Sequence, residues 1–204
     1  MTGLTTNRAA PVLMKMPLSE AKKLWPDFDT FGDPKLEKML IHCAEFWASM
    51  KLKECPPYWL SLVGGSGTGK TFLAQKLYMS AKLDRNFAKH AWMTSPVKQG
   101  QWMDLFDQII ADSTILNDLA AANFLLIDEL TFPRNREGED SEYSVGRLIQ
   151  LLSHRMNKWT VITANTTARD LGMIDARITS RMIRDGNKLV RVEAIDYWLR
   201  KNKS

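Results

Sequence analysis

Gly64-Gly65-Ser66-Gly67-Thr68-Gly69-Lys70-Thr71 lies between an apolar run, Tyr58 to Val63, and a stretch with helical spacing, Thr71 to Leu83. The eight residues match G-x-x-x-x-G-K-[ST] in full, with a predicted strand before them and a predicted helix after. Glycines tolerate positive φ and let the backbone approach a ligand, so that successive amides point inward at phosphate oxygens. The helix that starts near Lys70 adds its positive dipole end. Lys70 is expected to reach the β- and γ-phosphates, and the Thr71 hydroxyl to bind Mg²⁺. The stretch predicts a site for ATP with Mg²⁺ in an α/β fold.

Downstream, Phe124-Leu125-Leu126-Ile127-Asp128-Glu129 is an apolar strand that ends in two acids. Asp128 is expected to hold Mg²⁺ through water, and Glu129 to orient the attacking water or accept its proton. Many kinases need only the aspartate, whereas a hydrolase needs a base for water. Asn165 ends a further strand, Val161-Ile162-Thr163-Ala164-Asn165, where its amide can orient that water or contact the γ-phosphate. Arg177 and Arg181 are four residues apart and share a helix face. A guanidinium from a neighbouring subunit can stabilise charge on the γ-phosphate. Spacing alone leaves two solvated arginines as the leading reading.

The remainder of the chain reads as strands alternating with helices. Residues from Met1 to about Asp29 are irregular apart from a short helix at Leu18 to Trp25, and Asp33-Pro34 caps an amphipathic helix running to Lys51. A second strand is predicted at His90 to Thr94, a helix at Gln101 to Ile110, a polar loop at Thr131 to Ser141 and a helix at Glu142 to Asn157. Trp159 to Thr163 is a strand, Ile174 to Ile183 a helix, Leu189 to Val192 a strand and Ala194 to Lys201 a last helix. That order predicts a parallel sheet of about five strands covered on both faces.

The 204 residues fit one domain with a modest appendage: a short arm over residues 1–30 and a nucleotide-binding domain over 31–204. The net charge of +5, with a pI near 9.2, leans mildly toward polyanions. Cys43 and Cys55 have neither CxxC spacing nor paired histidines, which argues against a disulfide framework or zinc site. No apolar run approaches the ~18 residues of a membrane span, and the first residues lack a signal-type core, so a cytoplasmic protein is expected.

The order of the glycine loop, Ile127-Asp128-Glu129, Thr163-Ala164-Asn165 and Arg177-Ile178-Thr179-Ser180-Arg181-Met182 resembles the AAA+ ATPases of the DnaC/IstB branch, of phage or mobile-element type. That branch contains helicase loaders and transposition helper ATPases. The resemblance runs from about Asp27 to Arg200. It implies a P-loop NTPase fold of AAA+ type, Asn165 as sensor 1, and Arg181 as an arginine finger acting in trans with Arg177 beside it. It also implies a homo-oligomeric ring or spiral on DNA, with a replicative helicase or a transposase as partner. Little sequence follows the arginines, so a full C-terminal lid is not expected.

Arginines and lysines are concentrated after Thr131, and Arg155 is among them, which is compatible with phosphate contacts to DNA. Lys98, Arg134 and Arg136 are the candidate contacts. Trp102 could stack on a base, but its place on an apolar helix face with Phe106 favours the core. Four functions compete, the first three being a helicase-loading ATPase, a transposition helper ATPase, and a small-molecule kinase, against which Glu129, Asn165 and Arg181 argue. A module that binds ATP only to hold an oligomer is the fourth reading.

Overall fold

In the computed structural model, which describes residues 15–52, 54–83, 97–133 and 141–201, the strand leading into the glycine loop is β1, Trp59–Gly64, and all of it is buried. It pairs in parallel with β4, Trp159–Ala164, on one side and with β5, Lys188–Val192, on the other. β3, Phe124–Asp128, pairs in parallel with β4, and β2, Val97–Gln101, pairs in parallel with β3 at the edge. The order is β2-β3-β4-β1-β5. Side chains alternate between faces along each strand. Leu60, Leu62, Phe124 and Leu126 therefore enter one core, whereas Trp59, Val63, Leu125 and Ile127 enter the other.

The first core is covered by α1 (Leu18–Leu24), α2 (Pro34–Lys51) and α3 (Lys70–Leu83). Asp33 caps α2 through the Lys35 amide at 2.7 Å, with Pro34 at the first helical position. Ala21, Trp25 and Phe28 belong to this core, so the inner face of α1 packs on the chain itself. The second core is covered by α4 (Trp102–Ala111), α5 (Thr114–Ala121), α6 (Glu142–His154) and α8 (Ala176–Ile183). Trp102 is fully buried there and donates its indole N–H to Ser144 at 3.1 Å, which makes it a core residue and not a stacking platform.

Several elements differ from the sequence reading. His90 to Thr94 lies outside the described residues, and the strand beside β3 is the polar Val97–Gln101. An edge strand has one unpaired side and carries polar residues readily. α5 was not predicted. The helix expected over Ile174 to Ile183 is α8, which starts at Ala176 because Asp175 caps it, and α7 (Ala168–Ile174), opened by a capping box of Thr167 and Asp170, is a further helix that was not predicted. The last helix, α9, begins at Tyr197 and not at Ala194.

Arg155 corrects the reading of surface charge. It follows α6, is fully buried, and donates to the carbonyls of Leu119, Ala120, Ala122 and Trp159 and to Thr160 Oγ1. Burial pushes its guanidinium down to about 9. It ties the end of α5 to the start of β4 and is not a DNA contact. Arg155→Met should lower stability by about 3 kcal/mol or more, because each buried carbonyl left without a donor costs about 1–3 kcal/mol. Urea denaturation reads this, and an unchanged midpoint would contradict the assigned role.

Candidate functional site

The loop emerges at the carboxyl end of β1, where the chain leaves for the far edge of the sheet and later returns on the opposite side. Such switch points are where open α/β sheets bind ligands. Gly64 has φ 145° and packs against β5 so closely that a Cβ would lie 2.2 Å from the Val192 carbonyl oxygen. Gly67, at φ 68°, leaves room for the Asp196 carboxylate. The Tyr197 N–H donates to the Gly67 carbonyl at 2.7 Å, which fastens the C-terminal segment onto the loop.

Lys70 is buried. Its ammonium donates to the Gly64 carbonyl at 3.0 Å, to the Gly65 carbonyl, and to Thr68 Oγ1 at 3.3 Å. Burial pushes it down to about 8, while Asp128 and Glu129 pull the other way. The next residue reaches across the sheet: Thr71 Oγ1 donates to Asp128 Oδ1 at 3.0 Å. Thr163 Oγ1 donates to the same oxygen at 2.5 Å and accepts the Glu129 N–H at 2.8 Å. Glu129 has φ 51°, a left-handed conformation that costs a non-glycine residue about 1–3 kcal/mol and marks functional sites. Its side chain is held by the Asn165 amide, which donates to Oε1 at 3.3 Å.

These groups meet in a cavity of about 480 Å³ lined by Gly67, Thr68, Gly69, Lys70, Thr71, Glu129 and Asn165 at its polar end. Its other end is aromatic: Phe28 and Phe72 stack with centroids 5.9 Å apart, and Tyr197 completes the wall. A concave site with a donor-rich floor and a flat apolar wall fits a nucleotide. Thr71 and Asp128 supply hard oxygens of the kind Mg²⁺ prefers, in the small number typical where phosphates complete the shell. Nothing in the geometry conflicts with that group.

The remaining candidates lie elsewhere. Arg177 is exposed and paired with Asp175 at 2.7 Å, on the rim of a second cavity of about 1060 Å³ that shares Asn165. Arg181 is half-buried and donates to Ser153 Oγ at 2.9 Å and to the Arg177 carbonyl at 3.2 Å. Neither arginine lines the phosphate cavity. Lys98 sits half-buried in the edge strand β2 opposite Leu125, and Arg134 and Arg136 lie outside the described residues. Sequence reasoning missed Thr163, Phe28 and Tyr197 as site residues. Thr163 was within reach, because residues two apart on a strand share a face and Thr163 stands two before Asn165.

The chain matches the NB-ARC domain over residues 44–123, a stretch that includes the glycine loop and stops before Asp128. No curated protein matches it in sequence. Among solved structures it is similar to a DNA replication initiation factor, with 17% identity, a TM-score of 0.59, and coverage of 83% of this chain and 49% of that one. AMPPCP-bound DnaA from Aquifex aeolicus gives 20% identity, a TM-score of 0.59, and coverage of 83% and 50%. The chain thus spans about half the length of these two. DnaI gives 20% identity, a TM-score of 0.59, and coverage of 89% and 93%. At such identities the likeness shows the fold, which is the α/β P-loop NTPase fold with a five-stranded parallel sheet. No described helix is long and apolar enough to cross a membrane.

A triphosphate beside Lys70 favours its charged form. Below pH 8 the ammonium is already protonated. Above pH 8, binding must take up a proton, so ATP affinity should weaken by up to about tenfold per pH unit in that range. Calorimetric titration from pH 7 to 9.5 reads this. A flat profile would contradict a lowered Lys70 pKa coupled to phosphate binding.

Proposed function

We propose that this chain is an AAA+ ATPase that hydrolyses ATP with Mg²⁺ and uses the cycle to assemble on DNA and to load or recruit a replicative helicase. The observation that carries the hydrolytic part is the convergence of Lys70, Thr71, Glu129 and Asn165 on one cavity, with Asp128 hydrogen-bonded to Thr71 behind it. Lys70 binds the phosphates in place of the loop carbonyls it now holds. Thr71 and Asp128 are the residues that would hold the cation, whose contribution when bound is to neutralise phosphate charge. Asn165 orients the Glu129 carboxylate, and Glu129 takes the proton of the attacking water. A positioned general base contributes about 10²–10⁴-fold. The aromatic wall of Phe28, Phe72 and Tyr197 receives the base.

Arg181, with Arg177 beside it, is proposed to act in a neighbouring subunit's site. In support, neither arginine lines its own chain's phosphate cavity, and both lie on one short helix near the surface. The fold shared with DnaA and DnaI supports a replication role, and the net charge of +5 supports a polyanionic partner. Lys98, Arg134 and Arg136 remain the proposed DNA contacts. A transposition helper ATPase that delivers target DNA to a transposase uses the same site residues and is the second reading, favoured by the same resemblance to the DnaC/IstB branch. The domain division at about residue 30 and a cytoplasmic location belong to the same proposal.

Lys70→Ala should abolish ATP binding in a direct titration, while Glu129→Gln should bind ATP normally and lose turnover about a hundredfold or more. Normal affinity in the first or normal turnover in the second would refute the assigned roles. For the oligomer, specific ATPase activity should rise with protein concentration in the wild type and stay low in Arg181→Ala at every concentration. Wild-type activity of Arg181→Ala would refute the trans finger.

A further inference from the structure

Three consecutive residues at the end of β3 are held by one residue of β4. The Thr163 hydroxyl donates its single hydrogen to Asp128 Oδ1 at 2.5 Å and accepts the Glu129 N–H at 2.8 Å. The Thr163 carbonyl accepts the Leu130 N–H at 2.7 Å. The paired register of β3 and β4 ends at Ile127 and Ile162. Beyond it the strand cannot continue as a regular ladder, because Glu129 turns to φ 51°. The Thr163 side chain takes over the role of the ladder there. Both Thr163 and Asp128 are buried, so no solvent stands ready to replace the hydroxyl.

We propose that Thr163 is a positioning residue for hydrolysis, one hydroxyl that fixes Glu129 by gripping its backbone amide and the neighbouring Asp128 carboxylate at once. This rests on the reading of Glu129 as the base that directs water. Asp128 Oδ1 also accepts from Thr71 Oγ1 at 3.0 Å, so a chain of hydrogen bonds runs from the phosphate-loop helix through Asp128 and Thr163 to the Glu129 backbone. The hydroxyl touches neither the cavity nor its contents, since Thr163 is not among the lining residues. Its effect therefore reaches the nucleotide only through the placement of Asp128 and Glu129, and falls on turnover more than on nucleotide affinity.

The test compares steady-state turnover and nucleotide titration in the full chain for Thr163→Val, Thr163→Ser, Glu129→Gln and the Thr163→Val/Glu129→Gln double variant. Thr163→Val removes the hydroxyl at nearly constant volume. It should lower kcat about ten- to a hundredfold, the scale set by a misplaced reacting group, with the Kd for ATP within about twofold of wild type. Thr163→Ser, which keeps the hydroxyl, should recover most of the turnover. In the double variant, Thr163→Val should add no further loss, because groups that act as a unit are not additive.

Wild-type turnover in Thr163→Val, an equal loss of affinity and turnover, or a full additional loss in the double variant would overturn the inference. If thermal melting shows that Thr163→Val does not fold, Thr163→Ala carries the same comparison. A folded Thr163→Ser variant with no recovery would also overturn it. Wild-type turnover by Glu129→Gln would refute the reading of Glu129 itself, and the inference with it. An inactive Glu129→Gln beside a fully active Thr163→Val would leave that reading standing and reject only the role of Thr163.

Discussion

The site depends on one carboxylate oxygen. Asp128 Oδ1 accepts hydrogen bonds from Thr71, at the start of α3, and from Thr163, near the end of β4. That oxygen therefore joins the phosphate loop, the acidic strand and the strand that carries Asn165. These are three separate connections of the fold, and they meet because β1, β4 and β3 lie side by side in the sheet. The parallel order brings the carboxyl ends of all three to one edge, where the loop amides, the acids and the amide of Asn165 face a common space.

Each neighbouring feature follows from keeping that corner in register. β1, β3 and β4 are buried on both faces, so a slip of one residue would exchange the two cores. At the opposite edge, Arg155 ties the start of β4 to the end of α5 by satisfying carbonyls of both. Gly64 lets β5 approach the loop, and the segment after β5 returns across it through Tyr197. At this corner the strain falls on Glu129, whose left-handed backbone is held by Thr163 of β4 through its own N–H and that of Leu130.

The phosphate loop, the acidic pair and Asn165 were legible in the sequence because each is a fixed residue type at a strand end, and strand ends are announced by short apolar runs such as Phe124 to Ile127. The helix at Pro34 was legible from its cap. The edge strand Val97–Gln101 was not, since it is polar and has no apolar alternation to announce it. α7 was passed over because seven residues show too few apolar repeats to announce a helix, and only the Thr167–Asp170 capping box marks its start. Arg155 was misread for a simpler reason. A charged residue counts as surface until the carbonyls that surround it are known. Thr163 was passed over because threonine suits any strand, and its role depends on what the adjacent strand presents.

The central claim is that one cavity binds a triphosphate and directs water at it. The measurement that meets it most directly is a crystal structure of the chain with a non-hydrolysable ATP analogue and Mg²⁺. The account predicts phosphates in the 64–71 loop, the Lys70 ammonium moved from the loop carbonyls onto phosphate oxygens, and the Glu129 carboxylate facing the terminal phosphate beside Asn165. A nucleotide bound elsewhere, or a terminal phosphate that Glu129 does not face, would contradict it.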